Sequence, residues 1–397
     1  MSLKRNLKCM YYCIGVCVCL YWGIGLSRTK KDSLNRTDHT SQHTVQEQPK
    51  HQQTGLNDKT SGLVGLKQSE VSTKNVKPFH EEAKQITNHF KHKSNGYSLP
   101  PTLLNGTDML PKIMAFFTMN ASDHRDRYIN LHQFVYSLNP SVCSNTSVFL
   151  ILVIHSATGN AMKRELIRKT YGSVAKYKGR TLAHVFMLGT TNDDRVQNSI
   201  INESKLYGDI VQGNFPDIYT SLPRKHIMSM DWYLRHCNSS YILKLDDDVF
   251  INPYRIVDFL TGGHLDQRTM YCTIITGCKP SRHSTNKCYI SYKEYPFDIY
   301  PSYCLGYAYI TTPGVWHLMH EVSKNSKSLH VDDVFVSTAL AIKAGVQKVD
   351  FGKIIFDWRY HTEDLNEETL QKKAIVFDKK NKYGNLPFTY WGLIKED

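Results

Sequence analysis

The chain has 397 residues and a formal net charge of +13 at pH 7, a charge that could indicate a nucleic-acid partner. However, residues 1–110 contain 15 Lys and Arg against 8 Asp and Glu, so only +6 remains for residues 111–397, where there is no dense basic stripe. We therefore expect no nucleic-acid partner. Residues 111–397 are numerous enough for one large α/β domain with a substantial core.

The first predicted element is an uncharged apolar run from Cys9 to Leu26. Its 18 residues are at the short end of the length that crosses a bilayer, and basic residues flank it on both sides. We predict a signal-anchor transmembrane helix at 9–26, after a short tail at 1–8. A cleaved signal peptide is the alternative, because the run ends in the small residues Gly23, Gly25 and Ser27.

Residues 27–110 are rich in Gln, His, Ser, Thr, Asn and Lys, with few apolar residues and no sustained hydrophobic period. A segment of this composition buries too little apolar surface to offset the entropy that it would lose on ordering. We predict a flexible, disordered stem at 27–110 and a folded domain at 111–397.

Cysteines and glycosylation sequons indicate an oxidising compartment. Four of the ten cysteines lie inside the apolar run, and the even number that follows it is typical of disulfides, with fifteen possible pairings. A zinc site is less favoured, because no pair has the spacing of two to four residues that structural zinc prefers. These six cysteines are Cys143, Cys237, Cys272, Cys278, Cys288 and Cys304. The candidate glycosylation sites are Asn35, Asn105, Asn120, Asn145, Asn202 and Asn238.

From residue 148 onward, apolar runs alternate with segments of helical period. The run Val148–Ile154 is continuously apolar and β-branched, as in a strand that is buried on both faces of a parallel sheet. Such alternation predicts a doubly wound, mostly parallel sheet, which binds ligands beyond the carboxyl ends of its strands. The predicted strands are 148–154, 182–189 and 241–245, and the predicted helices are 161–172, 195–208 and 219–237.

Three consecutive carboxylates, Asp246, Asp247 and Asp248, follow the third of these strands. Adjacent carboxylates repel one another, and a bound cation relieves that repulsion. In extended chain Asp246 and Asp248 point to one side and Asp247 to the other. The sequence therefore predicts a metal site here. An exposed acidic turn is the alternative, and the spacing and glycine of an EF-hand calcium loop are absent.

Six ordered blocks between about residues 148 and 361 resemble the β-1,3-galactosyltransferase group, which is family 31 of the inverting glycosyltransferases. The most specific block is KLDDDVFIN, which is nearly unaltered from the metal motif of that family. The blocks are KRELIRKTYG (163–172), HVFMLG (184–189), ESKLYGDIVQGNFPDIYTSLPRK (203–225), KLDDDVFIN (244–252), YPSYCLGYAYI (300–310) and VDDVFVS (331–337).

The resemblance implies a GT-A type nucleotide-sugar-binding fold and a set of site residues. Asp246, with Asp247 beside it, would contact the nucleotide-sugar, and Asp248 would ligate manganese. His361 is the best match to the late histidine that completes the metal site, although it could be an ordinary surface histidine. Arg164 and Arg168 would lie near the nucleotide; the alternative is that both are charges on a helix face.

Asp333 is the candidate catalytic base, because an acceptor hydroxyl must lose its proton as it attacks the anomeric carbon. The alternative is that Asp332 or Asp333 caps the helix that follows. The sequence departs from the family pattern at four positions of these blocks. They are Tyr171 for Trp, which keeps an aromatic platform, Ala308 for Gly, Asp332 for Glu and Ser337 for Gly.

The resemblance implies an inverting β-1,3-hexosyltransferase that is anchored in the Golgi membrane as a single-pass type II protein. It would transfer galactose from UDP-galactose, with Mn²⁺, to an acceptor oligosaccharide on a glycoprotein or glycolipid. The sequence leaves open N-acetylglucosamine or N-acetylgalactosamine as the transferred sugar. It also leaves open a non-catalytic glycan-binding relative that retains the fold.

Overall fold

The computed structural model of the protein describes residues 109–118, 133–144, 147–263, 265–351, 355–357, 367–377 and 386–394. The predicted tail, the membrane helix at 9–26 and all but the last two residues of the stem lie outside these ranges. Among the described residues, no helix is both long enough and apolar enough to span a bilayer.

The helices and strands alternate along the chain as the sequence predicts. The strands are β1 (Tyr136–Leu138), β2 (Val148–His155), β3 (Lys176–Tyr177), β4 (Arg180–Thr190), β5 (Ile210–Pro216), β6 (Ser239–Asp246), β7 (Phe250–Ile251), β8 (Thr269–Ile275), β9 (Tyr303–Thr311), β10 (Gln347–Asp350), β11 (Ile355–Asp357) and β12 (Ile375–Phe377). The helices are α1 (Met109–Thr118), α2 (Ala161–Lys169), α3 (Asp194–Tyr207), α4 (Leu222–His236), α5 (Pro253–Gly262), α6 (Pro313–Ser323), α7 (332–343), α8 (Glu367–Lys372) and α9 (Leu386–Leu393).

The strands of the central sheet lie in the order β1-β5-β4-β2-β6-β9-β8-β10, and β3 pairs with β4. Strands β5, β4, β2 and β6 are mutually parallel, whereas β9 runs antiparallel to both of its neighbours. A mixed α/β fold with a mostly parallel central sheet is therefore confirmed. Strands β11, β12 and β7 form a small second sheet. Strand β7 follows shortly after Asp246, Asp247 and Asp248, which together are called the acidic turn.

Strand β2 is the centre of the sheet, because its apolar side chains are buried on both faces and it pairs with β4 on one side and β6 on the other. The chain proceeds from β2 to β4 and β5, and then crosses to β6 on the opposite side of β2. The strand order therefore reverses between β2 and β6. In open α/β sheets, such a reversal opens a crevice at the carboxyl ends of the two strands.

Element types are predicted correctly between residues 148 and 246, and the boundaries differ by a few residues. Helix α2 ends at Lys169 rather than at Gly172, because residues 171–173 form a tight 3₁₀ turn. Helix α3 ends where predicted, with Gly208 at φ +62°, a left-handed conformation that glycine adopts without steric cost.

The helix predicted after Val331 is present as α7, with an irregular interior. Residues 335–340 are π-helical, between short α-helical segments on either side. Neither Asp332 nor Asp333 caps it: the N-cap is Val331, and no side chain makes a capping hydrogen bond. The capping alternative for these aspartates is therefore wrong.

Five of the six cysteines expected to form disulfides are disulfide-bonded, whereas Cys288 is a buried thiol, so the expectation was wrong for that residue. Cys143 is bonded to Cys237, which joins the segment before β2 to the end of α4, and Cys272 is bonded to Cys304, which joins β8 to β9.

Candidate active site

The acidic turn lies at the reversal between β2 and β6. Strand β6 ends at Asp246, which pairs in register with His155 at the end of β2. The backbone N–H of Asp247 then donates to the carbonyl of His155 at 3.1 Å. The three carboxylates therefore begin at the carboxyl edge of the sheet, where the sequence places them.

Asp246 is held by a buried lysine two residues earlier on the same face of β6. The Lys244 Nζ donates to Asp246 Oδ1 and to the carbonyl of Gly306, both at 2.6 Å. Burial opposes the charge of Lys244, but the carboxylates of Asp246 and Asp332 outweigh it and raise the pKa of the lysine. Lys244 thus stays charged beneath the acidic turn and ties β6 to β9.

Asp247 and Asp248 lie in a turn rather than in extended chain, and both oxygens of Asp247 are occupied. Its Oδ2 accepts from Ser156 Oγ at 2.8 Å and from Asn160 Nδ2 at 2.7 Å, and its Oδ1 accepts from Lys163 Nζ at 2.8 Å. These donors lie on the loop after β2 and on α2. Asp247 therefore fixes that loop against the acidic turn.

Asp248 is the carboxylate best suited to a cation. Loss of hydration and the negative charges of Asp246 and Asp247 raise its pKa to about 6, although Lys163 opposes the shift. Asp248 also has exposed surface, so water offsets part of the desolvation, and the repulsion by its neighbours is the part that a cation would reverse. No side chain in the described ranges donates a hydrogen bond to it.

Asp333 lies at the start of α7, and its carboxylate packs against β9. A β-carbon at Gly306 would lie 1.9 Å from Asp333 Oδ1, so the absence of a side chain at residue 306 makes room for this carboxylate. The Ser337 Oγ donates to the backbone carbonyl of Asp333 at 2.6 Å and accepts from the N–H of Cys304 at 2.8 Å. The serine that departs from the family pattern therefore fixes the position of Asp333.

Asp332 is the end of a buried hydrogen-bonded chain. The Trp316 indole N–H donates to Tyr309 Oη at 3.1 Å, the Tyr309 hydroxyl donates to His226 Nε2, and His226 Nδ1 donates to Asp332 Oδ2 at 3.0 Å. The His226 and Tyr309 rings are stacked, with an angle of 5° between their planes. Desolvation opposes the ionisation of Asp332, but His226 and the nearby lysines outweigh it and lower its pKa.

These groups share one cleft of about 350 Å³. Asp246, Asp248 and Asp333 lie on its wall together, which is the relationship that the sequence-based hypothesis requires. The remaining lining residues are His155, Ser156, Ala157, Asn160, Asp217, Ile218, Tyr219, Leu222, Lys225, Lys244, Asp247, Lys287, Cys288, Val331 and Asp332.

A second group in the cleft could hold a metal. His155, His226 and Asp332 each offer a ligand atom within 4.8 Å of the others. Both ring nitrogens of His226 are already engaged, by Asp332 and by Tyr309. Asp248 retains the more open set of oxygens.

Arg164 and Arg168 lie behind the cleft and are not among its lining residues. The fully buried guanidinium of Arg164 pairs with Glu203 at 2.7 Å and donates to the carbonyl of Ala157, which does line the cleft. Arg168 pairs with Glu203 and Asp209. Their contact with a nucleotide stays a prediction, and in this structure they support the loop after β2.

Tyr171, the replacement for the family tryptophan, is also structural. It is buried, and its hydroxyl donates to the carbonyl of Val249 at 3.0 Å, directly after the acidic turn. It therefore braces that turn from behind and does not present a platform to the cleft.

Some predicted residues cannot be placed. His361 and four of the sequons (Asn35, Asn105, Asn120 and Asn145) lie outside the described residues. Asn202 and Asn238 are both exposed, as a glycan attachment site must be. His155, His226 and Lys244 were not predicted as site residues. Of these, only Lys244 had a local signal, since it is a lone charge in an apolar strand, two residues from Asp246.

An acidic cleft at a strand-order reversal is where α/β enzymes bind their ligands. The model of the Galactosyltransferase family matches residues 162–351, which include all of these described acids. Beta-1,3-galactosyltransferase 2 of Pongo abelii is 30% identical over 301 residues, covering 70% of this chain and 71% of that protein. Beta-1,3-galactosyltransferase 1 of Mus musculus is 32% identical over 220 residues, covering 54% and 67%.

The chain belongs to this galactosyltransferase family, which places it among the glycosyltransferases. A glycosyltransferase involved in the glycosylation of the major capsid of PBCV-1 aligns with 61% of this chain and 98% of its own, at 8% identity. The TM-score of this alignment is 0.33.

Proposed function

We propose that the protein is an inverting β-1,3-galactosyltransferase that transfers galactose from UDP-galactose to a hydroxyl of an acceptor glycan on a glycoprotein or glycolipid. The observation that carries this proposal is that Asp333 lines the same cleft as Asp246 and Asp248. Family membership and the names of the relatives support the same reaction.

Asp333 acts as the general base. Its carboxylate accepts the proton of the acceptor hydroxyl while that oxygen attacks the anomeric carbon, opposite the departing uridine diphosphate. No covalent sugar-enzyme intermediate is needed, so an α-linked donor gives a β-linked product. A positioned base of this kind contributes roughly 10²–10⁴-fold to the rate. Ser337 and Gly306 hold Asp333 in place for that task.

Asp248, together with His361, would hold Mn²⁺. The fit rests on the raised pKa of Asp248 and on the lack of side-chain donors to it among the described residues. When bound, the ion neutralises charge on the leaving diphosphate. Asp246, fixed by Lys244, contacts the nucleotide-sugar, and Asp247 contributes through its hold on the loop after β2.

The domain architecture completes the proposal. The sheet order and the acidic turn suit a GT-A type domain, which we place in the Golgi lumen. Residues 9–26 would anchor it as a single-pass type II protein, and residues 27–110 would separate the domain from the membrane.

The test is a transfer assay of the purified full chain with a panel of uridine nucleotide-sugars, with and without Mn²⁺. We expect galactose transfer that requires Mn²⁺. Asp333→Asn should abolish turnover yet keep UDP binding, and Asp248→Asn should remove the response to Mn²⁺. Asp258→Asn serves as the matched control, because Asp258 pairs with the exposed Lys178 and is not among the residues that line the cleft. Full activity of Asp333→Asn would refute the base assignment, and transfer of another sugar would correct the donor.

A further inference from the structure

Among the residues that the structure describes, two buried acceptor atoms of cleft-lining residues have no hydrogen-bond partner. They are Nδ1 of His155 and Oδ1 of Asp332. The two residues are only 5% and 7% exposed, yet both line the cleft. Buried polar atoms are usually hydrogen-bonded, so an unsatisfied pair at a binding cleft points to a ligand that satisfies it.

The hydrogen positions on His155 follow from its neighbours. The Ser229 hydroxyl donates its single hydrogen to the carbonyl of Lys225 at 2.8 Å, so its oxygen accepts from His155 Nε2 at 3.0 Å. Burial, and after it the charge of the nearby Lys244, lowers the pKa of His155 well below its usual range, so the ring is neutral. With the hydrogen on Nε2, Nδ1 carries only a lone pair.

Asp332 offers a second acceptor. Its Oδ2 is engaged by His226, and its lowered pKa keeps the carboxylate ionised, so Oδ1 can accept but not donate. A ligand atom of Asp332 lies within 4.8 Å of one of His155. These two acceptors carry no hydrogens, so two donated hydrogens or a cation would satisfy them.

The surrounding charges favour neutral donors over a cation. The ammonium groups of Lys225 and Lys244 are close enough to lower the pKa of both His155 and Asp332. A cation would meet that repulsion, and it would find both nitrogens of His226 occupied. A pyranose, by contrast, presents hydroxyl donors on neighbouring ring carbons, one for each acceptor.

We propose that His155 Nδ1 and Asp332 Oδ1 are a specificity pair that accepts hydrogen bonds from two neighbouring hydroxyls of the donor hexose. This inference rests on the proposed function, and it adds the means by which the sugar, rather than the nucleotide, is recognised. The pair selects hexoses with free hydroxyls at the contacted carbons and positions the anomeric carbon beside Asp333, the next residue in the chain.

The test pairs enzyme variants with deoxygenated donors, using the full chain with Mn²⁺, UDP-galactose and its 2-, 3-, 4- and 6-deoxy analogues. Removal of a contacted hydroxyl should lower kcat/KM of the wild type by about 10-fold or more. In Asp332→Asn the amide oxygen must face His226, which leaves an NH₂ donor where Oδ1 stood. Asp332→Asn and His155→Phe should each have a lower kcat/KM with UDP-galactose. In each variant, removal of the hydroxyl that the lost acceptor contacts should no longer lower kcat/KM further.

Tyr309→Phe is the control. It alters the same buried chain but leaves both acceptors intact, so the ratio of kcat/KM between UDP-galactose and its deoxy analogues should stay at the wild-type value. UDP binding by each variant, measured by calorimetry, checks that the fold is retained and should change less than 3-fold, roughly the effect of a minor contact.

Equal deoxy penalties in the wild type, Asp332→Asn and His155→Phe would overturn the specificity pair while galactose transfer itself still stands. Loss of Mn²⁺ binding in His155→Phe, in the absence of any nucleotide, would also overturn it, in favour of a cation at this position. If the wild type transfers no hexose from any donor, the proposed function fails and the pair fails with it.

Discussion

Asp333 and Gly306 are in direct contact across the cleft wall, and a β-carbon at residue 306 would lie 1.9 Å from Asp333 Oδ1 and 2.8 Å from its Cγ. Gly306 is fixed in the middle of β9, and its carbonyl accepts from Lys244. The strand therefore cannot shift easily, and any added side chain must displace the aspartate.

Gly306→Ala is accordingly expected to lower kcat at least 10²-fold, the lower end of the contribution of a general base, while the protein stays folded. Steady-state kinetics with UDP-galactose and Mn²⁺ would measure this loss. Gly314→Ala is the matched control, since a β-carbon there has its nearest neighbour at 3.8 Å. Wild-type turnover in Gly306→Ala would show that the position of Asp333 does not matter for the reaction.

The sequence was sufficient to predict the strands around the acidic turn because local patterns determine them. A continuous β-branched run such as that of β2 suits only a strand buried on both faces, and Asp246 follows directly from the end of such a strand. The alternation of side chains in extended chain does not apply after Asp246, because Asp247 and Asp248 lie in a turn and all three aspartates line the cleft.

Contacts between distant parts of the chain could not be predicted in this way. His226 and Asp332 are 106 residues apart, and no local pattern links them. The predicted site for Arg164 illustrates the same limit. A charged helix face is compatible with a nucleotide or with an internal partner, and no local pattern links Arg164 to Glu203, its partner 39 residues away in this structure.

Arg164 therefore provides the second prediction. Its guanidinium is fully buried, pairs with Glu203 and donates to the carbonyl of Ala157, so Arg164→Met should lower the free energy of unfolding by about 1–3 kcal/mol by removing these bonds, although Arg168 still pairs with Glu203. Urea denaturation would measure the loss. Arg235→Ala, which removes an exposed partner of Asp231, should cost only about 0.5 kcal/mol. An unchanged unfolding midpoint together with a raised KM for UDP-galactose would instead favour the nucleotide-binding role.

Lys348 provides a prediction about pH. Burial lowers its pKa to about 7, while its ammonium nitrogen donates to the carbonyls of Ser302 and Ser337. At pH values between about 7 and the ordinary lysine pKa of 10.5, the Lys348 amine is protonated in the unfolded chain but neutral in the folded chain. Unfolding therefore takes up a proton in this range, and the free energy of unfolding rises with pH above about 7.

Lys348→Met should remove this contribution. Urea midpoints measured between pH 6.5 and 9 should rise more steeply in the wild type than in the variant, because the other titrating groups are common to both. Parallel midpoint curves for the two proteins would mean that Lys348 titrates near its ordinary pKa in the folded state.

The disulfide between Cys143 and Cys237 spans 94 residues and fastens the segment before β2 to the end of α4. Neither cysteine lines the cleft, so the double variant Cys143→Ser, Cys237→Ser should lose about 2–5 kcal/mol of stability yet keep the kcat of its folded fraction.

The Cys272–Cys304 pair is the informative comparison, because the N–H of Cys304 donates to Ser337, which holds Asp333. Removing that second pair should lower kcat as well as the melting temperature. The kcat of both double variants would be measured at 20 °C and corrected for the folded fraction, which circular dichroism gives. If both kept the wild-type kcat, the hydrogen bonds from Cys304 through Ser337 would have no part in positioning Asp333.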